Sequence, residues 1–222
     1  MLNSLVDKIF LATTVGDNDR QEYVINHLHE HNITAQYIIS PYYKMMNPEI
    51  SVRDSTDHEG FSRTSLSLLS AHMSIMKSSL LNNYTSICLL EDDVFFNTGW
   101  EDDFKIFLHN VPNDWEILNV GYTPYHDNHS VKIPINDKVY SPLRHHYSTH
   151  CVIINNPKIF EEYIDISHDT SYSLPVDYIF NILYNKYKSY CPVDKFIYQL
   201  SERSGQTKLN DIGPLYFTSS IR

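Results

Sequence analysis

The stretch Ser86–Asn97, SICLLEDDVFFN, constrains this chain more than any other. Ile87-Cys88-Leu89-Leu90 is short, continuous and apolar, the pattern of a strand covered on both faces. Three carboxylates, Glu91, Asp92 and Asp93, follow at once, and Val94-Phe95-Phe96 then turns apolar again. Adjacent carboxylates at the end of a buried strand repel one another and are costly unless water, a cation or a basic group compensates. In α/β sheets the carboxyl ends of strands are where ligands bind, and Mg²⁺ or Mn²⁺ prefers carboxylate oxygens. Two readings stand at this point: the acids hold a divalent cation, or they only solvate a turn and cap the next helix.

The flanking sequence predicts an α/β chain. Lys8–Thr13 reads as a first strand, followed by a helix capped by Asp17 or Asp19 and ending at Asn32. Ala35–Ser40 reads as a second strand stopped by Pro41. Strand–helix–strand opens a parallel sheet. Ser65–Asn83 is a helix whose stripe is Leu66, Leu69, Met73, Met76 and Leu80. His72 falls at the border of that stripe, where a structural, hydrogen-bonded role is the ordinary one. Further helices are expected over Trp100–Asn110, from Pro157 to Ile166, and from Leu174-Pro175-Val176-Asp177 onward, the last with Val176, Ile179, Phe180, Leu183 and Tyr187 inward. Strands are expected at Trp115–Gly121, Val139–Leu143, Ser148–Asn155 and within Tyr190–Gln199. Tyr42–Thr64, Tyr122–Asn136 and the tail from Ser201 read as irregular and polar. Arg144-His145-His146 is rich in metal-ligating types, but adjacent histidines on a strand point to opposite faces.

Composition narrows the class. The 222 residues are 42% hydrophobic, enough for one sizeable core, and carry a net charge of −10. That charge argues against nucleic acid as a partner, since phosphate backbones are bound by an excess of Lys and Arg. Cys88, Cys151 and Cys191 are far apart and odd in number, which predicts reduced, mostly buried thiols. No segment approaches the roughly 18–20 apolar residues of a membrane span, and the N-terminus is a poor signal peptide. The expected location is cytoplasmic, free or peripheral at a membrane.

Ser70-Ala71-His72 followed by Ile87–Val94 resembles the "SH … ILEDDV" signature of glycosyltransferase family 25, which includes lipopolysaccharide glycosyltransferases and collagen galactosyltransferases. Three further segments fall in the family's order: Trp115–Gly121 is similar to its "WDllylg" strand, Thr149–Asn155 to its "aYlis" strand, and Leu174–Asp177 to its "PvD" helix start. The chain departs from the pattern where Ala71 separates Ser70 from His72, where an N-terminal Arg pair is reduced to Arg20, and where His150-Cys151 replaces the usual aromatic.

The resemblance implies a GT-A architecture, a nucleotide-sugar-binding, Rossmann-like α/β sandwich with a mostly parallel central sheet. It implies one domain over residues 1–222, with a nucleotide-sugar half at 1–121 and an acceptor half at 122–222. Asp93 is then the direct metal ligand, Glu91 a metal or ribose partner, and Asp92 an assistant. Arg20 and His72 would contact the donor, and Asp177 would be the general base, its alternative being a helix-capping acid. Arg53, Arg63 and Arg203 are further possible phosphate contacts among which nothing selects. The implied activity is metal-dependent (Mn²⁺ or Mg²⁺), inverting transfer of galactose or glucose from a UDP-sugar to a glycan or protein hydroxyl. Two alternatives remain: a metal-dependent phosphohydrolase, and a non-catalytic nucleotide-sugar-binding module of the same fold.

Overall fold

The computed structural model describes residues 1–14, 18–40, 63–123, 131–144, 146–169 and 174–200. The chain runs α1 (Leu2–Leu5), β1 (Lys8–Thr14), α2 (Asn18–Glu30), β2 (Gln36–Ser40), α3 (Arg63–Leu81), β3 (Ile87–Glu91), β4 (Val94–Phe96) and α4 (Trp100–Asn110). It continues with β5 (Ile117–Thr123), β6 (Val131–Pro134), β7 (Val139–Arg144), β8 (Tyr147–Ile154), α5 (Pro157–Asp169), α6 (Val176–Lys186), β9 (Ser189–Pro192) and β10 (Ile197–Gln199). Eight strands form one sheet in the order β2-β1-β3-β8-β5-β9-β7-β6. β1 is parallel to both β2 and β3, and β5 is parallel to β9. β8 opposes both β3 and β5, so among the first six strands it alone is reversed. The protein is thus mixed α/β with a mostly parallel central sheet, as the strand–helix–strand opening predicts.

Strand alternation sorts the core into two layers. Ile9, Leu11, Cys88 and Leu90 face α2 and α4, meeting Val24, Leu28, Trp100, Phe104 and Phe107. Phe10, Ala12, Ile87 and Leu89 face α3, α5 and α6, meeting Leu69, Met73, Met76, Phe160, Ile179, Phe180 and Leu183. All five residues of β3 are buried, because helices cover both faces of the strand. Full burial of each large apolar side chain contributes roughly 1.5–3 kcal/mol before entropy is charged against it. Asn32 and Asn83 close α2 and α3 in the left-handed region, with φ of 53° and 55°. The next amides reach back into the helices, Ile33 to the Leu28 carbonyl (2.8 Å) and Tyr84 to that of Ser79 (3.0 Å). Asn tolerates that conformation better than any residue but Gly, which is why these helices stop there.

The connections make a topological switch point. From β1 the chain passes through α2 to β2 on one side, then returns through α3 to β3 on the other side of β1. Where strand order reverses in this way, an opening forms beyond the carboxyl ends of the two strands. Glu91, Asp92 and Asp93 sit at that end of β3.

Two expectations need correction, and the apolar run after the acids finds its place outside the sheet. Tyr122–Asn136 is not all loop, since Val131–Pro134 forms β6 and pairs antiparallel with β7. Val94–Phe96 leaves the sheet and pairs with β10 as a separate two-stranded ribbon. On α6 the buried tyrosine is Tyr184, whereas Tyr187 is half-buried at the helix C-cap. Asp17, His126, His129, His145, Arg203 and most of Tyr42–Thr64 lie outside the described residues.

Candidate functional site

The pleat of β3 splits the acidic trio. Glu91 continues the Ile87–Leu89 face and turns toward α3, α5 and α6. There its Oε1 accepts the Thr149 hydroxyl at 2.5 Å and lies 3.6 Å from His72 Nε2. Asp92 and Asp93 occupy the turn after the strand and meet α2 instead. One guanidinium nitrogen of Arg20, Nη2, lies 2.8 Å from Asp92 Oδ1 and 2.7 Å from Asp93 Oδ2. Thr13, at the end of β1, donates to Asp92 Oδ2 (2.8 Å). Gln199, at the end of β10, donates to Asp93 Oδ2 (2.9 Å), and the Leu200 amide donates to the Asp93 carbonyl (2.8 Å). Asp93 is only 2% exposed, and its second oxygen, Oδ1, has no donor among the described residues.

Asp177 enters from the first turn of α6. Its Oδ1 accepts the Ser148 amide at 3.0 Å, while the Ser148 carbonyl accepts Asn119 Nδ2 at 3.0 Å. Ser148 is held at φ 71°, a region that disfavours a side chain, so these bonds hold a strained residue in the site. Asn119 also donates to the Tyr184 hydroxyl (2.9 Å). His72 is fully buried between the rings of Tyr163 and Phe180, 6.1 and 6.2 Å away. It lies deeper than a border position because α5 and α6 cover the flank of α3 that the helical pattern alone leaves open.

These surroundings shift the titrating groups in opposite directions. Burial, then the charge of Asp93, pushes the Glu91 carboxyl well above the ordinary carboxylate range, against the pull of Thr149 and Arg20. Burial pushes Asp92 up to about 6, with Arg20 opposing. Asp177 is pushed up to about 7, chiefly by burial and then by Glu91, with Ser148 and His72 opposing. Burial takes His72 down to about 3, so its imidazole is neutral at pH 7. A carboxyl poised near neutrality can both take and release a proton at working pH.

The structure therefore brings Arg20, Asp92 and Asp93 to one point and Glu91, His72 and the Asp177 carboxyl to a neighbouring one. Glu91 and Asp93 take different partners, Thr149 and His72 for the one and Arg20 and Gln199 for the other. Among the described residues no group of three or more His, Cys, Asp or Glu side chains forms a cage for an ion. His146 of the histidine patch is buried against Tyr122, with Nε2 3.3 Å from Cys191 Sγ. All three cysteines are free and buried. No helix among the described residues is long and apolar enough to cross a membrane. Thr13, Ser148, Thr149, Asn119 and Gln199 carry no motif of their own. Thr149 and Asn119 fall in strands that carry the family resemblance, but nothing in the sequence gives either its partner.

No family model matches the chain, and no curated protein matches its sequence. Among solved structures it is similar to a glycosyltransferase involved in the glycosylation of the major capsid of PBCV-1. That likeness has 8% identity, covers 89% of this chain and 94% of the other, and has a TM-score of 0.49. It is also similar to an apo UDP-glucose pyrophosphorylase, at 9% identity over 85% of this chain and 74% of the other, TM-score 0.45. A third likeness is to A197 from STIV, at 12% identity over 86% and 83%, TM-score 0.43.

Proposed function

We propose that this protein is a GT-A-type glycosyltransferase that moves a hexose, galactose or glucose, from a UDP-sugar to a glycan or protein hydroxyl with inversion. The observation that supports this most is the meeting of Arg20 with Asp92 and Asp93 at the carboxyl end of β3, with Asp177 close enough to Glu91 to feel its carboxyl. The reading gives residues 1–121 to the donor and 122–222 to the acceptor, and sets the reaction in surface-glycan synthesis such as that of lipopolysaccharide.

The residues fit a divalent cation at one point, the Oδ1 of Asp93, which has no donor among the described residues and where Asp93 with Asp92 would hold Mn²⁺ or Mg²⁺. Such an ion, when bound, neutralises charge on a leaving diphosphate. Glu91 is not one of its ligands in this arrangement, because Thr149 and His72 flank it and its carboxyl favours the protonated form. Its role is to position, and fully buried His72 acts through it rather than on the donor. Arg20 binds and orients phosphate oxygens, for which its planar fork is suited. Asp177 removes the proton from the acceptor hydroxyl as that oxygen bonds to the anomeric carbon and the bond from that carbon to the diphosphate breaks.

The test is a thermal-shift panel of UDP, UDP-glucose and UDP-galactose, each with Mn²⁺ and with a chelator. A nucleotide present at a hundred times its Kd stabilises the folded state by about 2.7 kcal/mol. UDP and one UDP-sugar are expected to raise the Tm in Mn²⁺, with slow release of free sugar on incubation. No shift with any of them under either condition overturns the reading.

A further inference from the structure

Resting on that reading, we propose that Arg20 holds the cation's place in the donor-free protein, so that a divalent ion enters Asp92 and Asp93 only together with a diphosphate. The geometry is specific. A single nitrogen of Arg20 bridges the two carboxylates at 2.8 and 2.7 Å. The Arg20 side chain is 15% exposed and that of Asp93 only 3%, so this pair is largely withdrawn from water. One Asp93 oxygen is satisfied by Arg20 and Gln199, while the other, equally buried, has no donor among the described residues. The two carboxylates thus already have a cation, and one oxygen remains for another.

Charge decides the order of entry. An ion arriving alone gains both carboxylates but pushes Arg20 off them, leaving a partly desolvated guanidinium beside a doubly charged metal. That arrangement costs more than it returns. A diphosphate removes the conflict by offering Arg20 a new anionic partner that accepts its fork through two oxygens. Ion and diphosphate therefore bind with positive coupling through Arg20. Coupling is reciprocal, so each ligand tightens the other by the same factor.

The experiment titrates Mn²⁺ into the whole protein by EPR, with and without UDP, after subtracting the Mn²⁺ that UDP holds in solution. For the native chain, UDP is expected to tighten Mn²⁺ by about tenfold or more. In Arg20→Gln, Mn²⁺ alone is expected to bind more tightly than to the native chain, and the tightening by UDP should shrink toward unity. Unchanged coupling in Arg20→Gln, or Mn²⁺ alone binding no more tightly, overturns the proposal. Should Arg20→Gln lack the native circular dichroism spectrum, Arg20→Lys is read instead. It keeps the charge and loses the fork, so coupling falls while Mn²⁺ alone binds as before, and full coupling in that variant overturns the proposal equally. Failure of the native chain to bind UDP under any condition sinks the transferase reading. UDP binding that ignores Mn²⁺ sinks only the role given to Arg20.

Discussion

Thr149 donates its hydroxyl hydrogen to Glu91 from β8 to the end of β3, Oγ1 to Oε1 2.5 Å, in the interior of the protein. Glu91 holds its proton well above the ordinary carboxylate range when folded and releases it near 4.5 when unfolded. Between those values the folded state binds more protons, so the contribution of this group falls as pH rises. Glu91→Gln keeps an acceptor for Thr149 and removes the titration. Its stability relative to the native chain should therefore improve from pH 5 to pH 8, by on the order of 2 kcal/mol. Urea midpoints at the two pH values measure this, and an identical pH slope in both proteins contradicts it.

His27 behaves in the opposite sense. Its Nε2 accepts the Phe96 amide at 2.8 Å, and its ring lies parallel to those of Tyr23 and Phe95. Burial, then His31, takes it from 6.5 down to about 4. The unfolded chain therefore takes up a proton here first as pH falls. The stabilisation is full above 6.5 and is lost between 6.5 and about 4, at most about 3 kcal/mol. His27→Gln retains an acceptor without a titration, so its urea midpoint should decline less than the native one from pH 7 to pH 4.5. Parallel declines would show that His27 does not carry the effect.

Gly121 makes the close approach of β5 to β8 possible where their register shifts. A Cβ there would stand 2.6 Å from His150 Cδ2 and 2.7 Å from the Cys151 amide nitrogen. Backbone on a buried strand cannot step aside, so Gly121→Ala should cost about 1–3 kcal/mol, the range for overpacking a filled core. Equilibrium unfolding measures the cost, and a variant as stable as the native chain would mean that β5 and β8 are not in this register.

The sheet was legible because its signals are local. The apolar runs 8–13 and 87–90 and the left-handed Asn32 each act within a few residues. The split of the acids was legible in principle, since strand alternation separates Glu91 from Asp92. Treating the trio as one cluster hid it. The pairing of Arg20 with residues more than seventy positions away was not legible. It depends on the return of the chain from β2 across β1, which no local pattern encodes. The same holds for Thr149, whose partner follows from β8 running beside β3, and for His72, whose burial depends on α5 and α6 closing over α3. β6 was missed because its four residues include a Lys and a Pro at an edge, where pairing with β7 rather than propensity makes the strand.

Asp177 gives the most direct test of the chemistry. It is half-buried at the start of α6, oriented by the Ser148 amide, and its carboxyl is pushed up to about 7. A base must be ionised to accept a proton, so kcat/KM should rise with pH and level off above an apparent pKa near 7. Asp177→Asn preserves the acceptor oxygen for Ser148 and cannot take the proton. Transfer should fall by roughly 10²–10⁴-fold while the thermal shift with UDP stays native. Loss of UDP binding together with transfer would assign Asp177 to the donor pocket. Retention of both would return it to the capping role that an acid in a first helical turn ordinarily has.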